Sequence, residues 1–457
     1  MNSATDGRAA PAAPSMEGDV NQSPHRAAWQ ASRIGPATAE LLAADARHFL
    51  HQSLSTPCLD VLAESQGIYL TDVEGRRFID FHGNNVHQVG YRNPRVLAAI
   101  RSALDTLPFS PRRFTNRYAI DLAARLTALA PGNLNKVLFA PGGSEAIGMA
   151  LKLARAVTGR HKTVSMWDSF HGASLDAISI GGEALFRRNA GPLLPGTEHA
   201  PPCDPRGCLY GCAGSCTARC ADYVEYILAK EEDVGAVIVE TVRCTDVQIP
   251  PPEYYRRLRA SCNRHGALLI LDEIPIGLGR TGRMFAFEHY GIVPDMVVLG
   301  KGLGGGVWPM AALIAGEHLD VAGAVALGHY THEKSSVGCA AALATLDCLE
   351  LDGLLGRADA IGARVRSRLE SLRPRVPLIA EVRAIGALVG VELALPDGAP
   401  ARDAAEKILY ECLANGLSFK IGQGNVLNLS PPLVISDGEL DAALAILERA
   451  LVVVAAA

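Results

Sequence analysis

Short, unbroken apolar runs alternate with stretches of helical periodicity through the middle of the chain, and this alternation most restricts the fold. Lys136 to Phe139, Thr163 to Met166, Ala236 to Val239, Ala267 to Leu271 and Met296 to Leu299 read as strands. Ser144 to Thr158 and Glu253 to His265 carry apolar residues at three- and four-residue spacing and read as helices. Strands that are apolar on both sides, separated by helices, belong to a mostly parallel sheet covered on both faces. The expected class is therefore α/β.

Upstream, Ile68 to Asp72 and Arg77 to Asp80 read as two strands joined by a hairpin turn at Glu74-Gly75. Arg95 to Leu107 and Ala119 to Leu129 read as helices. Beyond about residue 340 the pattern changes. Helices at Cys339 to Leu349 and Ala358 to Leu372 precede strands at Val391 to Leu395 and Asn425 to Asn428. This gives a second, smaller α/β domain. The expected division is a disordered Ala/Pro/Ser/Gly-rich tail over 1–38 and an N-terminal part of the small domain over 39–80. A large ligand-binding domain follows over 81–330, then the C-terminal part of the small domain over 331–457.

Composition removes several classes. The 43 basic and 48 acidic residues give a net charge of -5, so no nucleic-acid surface is expected. No apolar run approaches the ~20 residues that span a bilayer, and no secretory signal is read, so the expected location is cytoplasmic. Eleven cysteines in such a chain are expected to be reduced. Five of them, Cys203, Cys208, Cys212, Cys216 and Cys220, fall in one short stretch. Four thiolates suffice for zinc or iron–sulfur binding, but the spacing departs from the common two-residue gaps. An insertion with unligated thiols, and no metal, is the reading adopted.

Three segments carry candidate chemistry. The apolar run Leu268 to Leu271 ends in Asp272 and Glu273, placing carboxylates at the carboxyl edge of the sheet, where α/β proteins bind ligands. The run Val297 to Leu299 delivers Lys301 into a glycine-rich loop ending at Gly306. A lysine in a tight site can form a Schiff base, although an isolated lysine after a strand is ordinarily solvated. Gly142-Gly143-Ser144-Glu145 follows a strand and opens a helix, where free backbone N–H groups make an anion site or simply a capped helix. An anion cradle, a strand-end aspartate and a strand-end lysine together match the needs of pyridoxal phosphate (PLP).

With these residues in view, the chain resembles the class III (ornithine/GABA-type) aminotransferases of PLP fold type I, from about residue 57 to 445. The resemblance rests on GGSEA at 142–146, Phe170-His171-Gly172, DEIPIGLGRTG at 272–282, GKGLGGG at 300–306 and SPPLVIS at 430–436, in the family's order. It implies that Lys301 holds the cofactor covalently and then shuttles protons, and that Asp272 pairs with the pyridine nitrogen. Phe170 and Ile274 would face the two sides of the ring, with His171 beside them. Gly143 and Ser144 would hold the phosphate. Thr331 would reach the phosphate of a neighbouring subunit, implying a homodimer with shared sites.

The departures concern substrate. The arginine that clamps an α-carboxylate in this family falls at Asn428, and its glutamate partner falls near Thr245. The glutamine after the DE segment is Pro275, and the run after Thr331 is His332 to Ser336. The segments Gly83 to Val86 and Arg112-Arg113-Phe114 instead resemble the phospho-lyase and hydroxy-aminoethylphosphonate ammonia-lyase branch. Arg112, Arg113 and Asn85 are thus expected to bind a phosphonate- or phosphate-bearing primary amine. The expected function is elimination from that amine to give an aldehyde and ammonia. An ω-transaminase passing the amino group to an α-keto acid is the alternative.

Overall fold

The structure is a computed structural model that describes residues 21–456 apart from 55–56, 205–207 and 213–215. Its centre is a seven-stranded sheet. In spatial order the strands are Leu134–Ala140, Ala311–Gly316, Met296–Leu299, Leu268–Asp272, Val234–Glu240, Lys162–Met166 and Thr197–Ala200. Val234–Glu240, Met296–Leu299 and Ala311–Gly316 are buried along their whole length, as expected where helices cover both faces.

Five of the seven strands were read from the sequence; Thr197–Ala200 was not among the expected strands, nor was Ala311–Gly316. It runs antiparallel to both of its neighbours, so the sheet is mixed rather than wholly parallel. Its residues, AALIAG, are weak strand formers. Pairing on both sides, rather than local preference, makes this segment extended.

Two four-stranded sheets lie outside the central one. The first joins Leu62–Gln66, Tyr69–Asp72 and Arg77–Asp80 to Leu417–Ser418, which pairs in parallel with Ile79 and Asp80. The second contains Ile379–Ile385, Leu388–Leu393, Val426–Leu429 and Lys420–Gly422, all antiparallel. This parallel pairing ties an early segment of the chain to a late one. The fold is α/β, with a large mostly parallel sheet and a smaller α/β part, as fold type I requires.

Part of the tail expectation is corrected. Residues 1–20 lie outside the described residues, but Pro24–Arg33 is a helix, and the next helix, Pro36–His48, begins inside the expected tail. Ser23 caps the first by accepting from the Arg26 N–H at 3.0 Å. Trp29 is buried beside Tyr410, with ring centroids 6.3 Å apart. Gln30 donates to the Leu59 carbonyl at 2.9 Å. One buried indole and the long-range hydrogen bond from Gln30 outweigh the disordered look of the composition. Among the described residues no helix is long and apolar enough to cross a membrane.

Candidate active site

The carboxyl ends of Met296–Leu299, Leu268–Asp272 and Val234–Glu240 open into a cavity of about 670 Å³. Its wall includes Asp272, Lys301, Phe170, His171, Gly143, Ser144, Ile274 and Asn85, so one cavity gathers eight residues predicted from separate segments.

Strand alternation sorts the two adjacent acids. Asp272 faces the cavity and is 2 % exposed. Its Oδ2 lies 2.8 Å from His171 Nδ1, and its Oδ1 accepts from the Ile274 N–H at 3.0 Å. Glu273 points into the protein, where it accepts from the Ala286 and Phe287 N–H groups at 2.6 and 2.7 Å and from the Thr241 hydroxyl. It anchors a turn and takes no part in the cavity. Glu240 sits beside Asp272 in register on the neighbouring strand. Burial pushes its carboxyl up to about 7, with Asp272 adding to the effect, so it carries a proton for part of the time at neutral pH.

Lys301 follows Leu299 by one glycine. Its φ is +45°, a left-handed conformation that costs a non-glycine residue strain. Packing between the Lys301–Gly304 turn and the helix Ser336–Leu351 holds it there. Among the described residues no carboxylate lies within ion-pair distance of its ammonium.

The helix Gly143–Thr158 begins at the cavity with no side chain capping its first turn, which leaves backbone N–H groups free for an anion. Small residues make room for one. A Cβ on Gly143 would lie 2.7 Å from Ile274 Cδ1, and one on Gly172 (φ +130°) would lie 2.2 Å from the Ser144 hydroxyl oxygen. Phe170 packs on Phe186, with centroids 4.4 Å apart. A buried carboxylate below, an uncapped helix start at one end, a phenyl face and a free lysine match the nitrogen, phosphate, ring and aldehyde of PLP. The residues present fit that cofactor.

Three predicted residues are not in this cavity. Arg112 and Arg113 are exposed, and Arg112 lies against His329, with Nη2 2.5 Å from its Nε2. Within one subunit neither guanidinium lines the cavity, because the 110–116 segment packs on the 329–334 segment. Asn116, for example, donates to the Lys334 carbonyl at 3.0 Å. Thr331 is exposed on that same segment. Conversely, sequence reasoning missed Lys420, His82 and Glu240, all of which line the cavity. Only Glu240 had a local signal, as a strand-end acid like Asp272.

In the cysteine-rich segment, the Sγ atoms of Cys203 and Cys216 are 3.7 Å apart. Among the described residues, no three His, Cys, Asp or Glu side chains converge to hold a metal ion.

This sheet and this site define a class of protein, the PLP-dependent enzymes of fold type I. The family model "Aminotransferase class-III" matches residues 51–451, and the chain belongs to that family. Its cofactor is pyridoxal phosphate. The chain is 49% identical over 452 residues to the (R)-1-hydroxy-2-aminoethylphosphonate ammonia-lyase of Vibrio splendidus strain 12B01, covering 95% of this chain and 94% of that one. Among solved structures, it is similar to a PLP-bound amine transaminase from an uncultivated Pseudomonas species. That match has a TM-score of 0.81 and 31% identity, and covers 88% of this chain and 98% of the other. An (S)-enantioselective ω-transaminase from Thermomicrobium roseum matches with a TM-score of 0.83 at 29% identity, over 91% of this chain and 98% of that one.

Proposed function

We propose that this enzyme is a lyase that eliminates from a phosphonate-bearing primary amine, such as 1-hydroxy-2-aminoethylphosphonate, to give an aldehyde and ammonia. The observation that carries the reading is 49% identity, over nearly the whole length of both chains, to an ammonia-lyase acting on that compound. The site supports it. Asn428 replaces the family's carboxylate clamp and is spent on structure, its amide donating to the carbonyls of Cys244 and Thr245.

Bound PLP supplies an electron sink for charge developing at the carbon that bears the nitrogen. Asp272, fixed by His171 and the Ile274 N–H, keeps a proton on the pyridine nitrogen. The N–H groups at the start of Gly143–Thr158, with Ser144, hold the phosphate. Phe170 and Ile274 orient the ring. Lys301 Nζ removes a proton from the amine-bearing carbon. It then delivers that proton to the hydroxyl on the neighbouring carbon, which departs as water. Readdition of water to the unsaturated amine yields the aldehyde and ammonia, so atoms balance without a second substrate.

The proposal includes a homodimer with shared active sites, in which Thr331 faces the neighbouring subunit's phosphate; its exposure outside its own cavity supports this. It also includes a cytoplasmic location and a division into a large body over 81–330 and a smaller one built from 39–80 and 331–457. The test is to incubate holoenzyme with the hydroxy-aminophosphonate and no keto acid. Ammonia and aldehyde over many turnovers are expected; strict dependence on a keto acid would assign a transaminase instead.

A further inference from the structure

Two lysines line the cavity, and the chemistry above uses one. Lys420 stands on the short strand Lys420–Gly422. It lies directly opposite Asn428 in an antiparallel pair, so the two side chains share a sheet face. Among the described residues no carboxylate lies within ion-pair distance of it. The cavity's acids, Asp272, Glu240 and Glu183, belong to other segments of the chain.

The position of Lys420 is closely set. A Cβ on Gly422 would lie 1.9 Å from the Thr245 carbonyl oxygen, so the strand is pressed onto the 244–245 loop. Asn428 grips that loop from the adjacent strand. Asn85 donates to Cys244 Sγ at 3.2 Å, while its Oδ1 is buried without a hydrogen-bond partner. His82 completes this end of the cavity. Burial, followed by the charge of Lys420, pushes its imidazole down to about 3, so it is neutral and adds no cation.

We propose that Lys420 is the residue that binds the phosphonate dianion of the substrate, with Thr245 and Asn85 bordering the same seat. This rests on the lyase reading and replaces the expected role of Arg112 and Arg113. An ammonium is a compact charge with three donors and suits a tetrahedral oxyanion; a planar carboxylate is better matched by a guanidinium fork, and among the described residues none lines this cavity.

The experiment uses Lys420→Met and Lys420→Arg holoenzymes and two substrates, the hydroxy-aminophosphonate and 1-aminopropan-2-ol, which has a methyl group in place of the phosphonate. Lys420→Met is expected to lower kcat/KM for the phosphonate by about 100-fold, the loss of one charge-assisted hydrogen bond to a dianion. It should change the methyl analogue by less than about threefold and leave the bound-cofactor absorbance intact. Lys420→Arg should recover most of the loss, which also covers the case in which the methionine variant folds poorly. Calorimetry with methylphosphonate reads the seat without turnover. Binding to wild type but not to Lys420→Met supports the seat even if the lyase reaction fails. Equal binding and turnover in wild type and Lys420→Met overturns it, as does loss of phosphonate selectivity in Arg112→Ala or Arg113→Ala instead.

Discussion

Single side chains set the electrostatics of the cavity. Asp272→Asn would keep the shape of the carboxyl group but remove the charge that holds a proton on the pyridine nitrogen. A fall in kcat of about 10²–10³ is expected, as for loss of other preorganised electrostatic contacts, with the cofactor still bound. Stopped-flow turnover and the absorbance of the holoenzyme check this. Glu240 behaves differently, because burial raises its pKa from 4.5 to about 7. A raised carboxyl binds its proton more tightly in the folded protein than in the unfolded chain. Its stabilising contribution is therefore complete below about pH 4.5 and is lost as the pH rises through about 7. Each unit of such a displacement is worth about 1.4 kcal/mol. Thermal midpoints at pH 5 and pH 8 should differ less in Glu240→Gln than in the wild type; an unchanged difference would show that Glu240 does not titrate in this range.

At the scale of elements, the phosphate seat depends on how closely the helix Gly143–Thr158 approaches the Gly172 turn. Gly172→Ala would place a methyl group 2.2 Å from the Ser144 oxygen at a φ of +130°. Overpacking of this kind costs about 1–3 kcal/mol, so cofactor affinity should fall by about 5- to 150-fold. The check is the fraction of cofactor retained after dialysis, alongside a far-ultraviolet dichroism spectrum that should not change. At this scale the sequence was readable wherever periodicity was strong. Leu268–Asp272, Met296–Leu299 and Gly143–Thr158 are present within a residue or two of their expected bounds. Ala311–Gly316 was not readable, because an alanine-rich run becomes a strand only when two neighbours pair with it. Pro24–Arg33 was hidden by its composition, and burial of Trp29 decides it.

At the scale of the whole molecule, Arg112, Arg113 and Thr331 lie on the outside of their own subunit. If sites are shared, subunits carrying Lys301→Ala and Thr331→Glu should complement each other. In a hybrid dimer, one site has both intact residues and the other has neither. Random mixing of the two inactive proteins, after dissociation and reassembly, should restore about a quarter of wild-type activity. No recovery would place Thr331 outside the partner's site.

The sequence by itself determined the α/β class, the family and the lysine and aspartate that meet in the cavity. Those features depend on local order: an apolar strand ends in an acid or a lysine, and a glycine-rich turn follows. Tertiary structure alone decided which cations line the cavity. Arg112 and Arg113 look suitable as a pair in sequence, yet the chain folds their segment onto residues 329–334. Lys420 carries no motif. It reaches the cavity because its strand pairs with Val426–Leu429 and because Gly422 lets that strand sit against the loop at Thr245, far away in sequence. Such proximity comes from packing between distant segments, and no local pattern of residues encodes it.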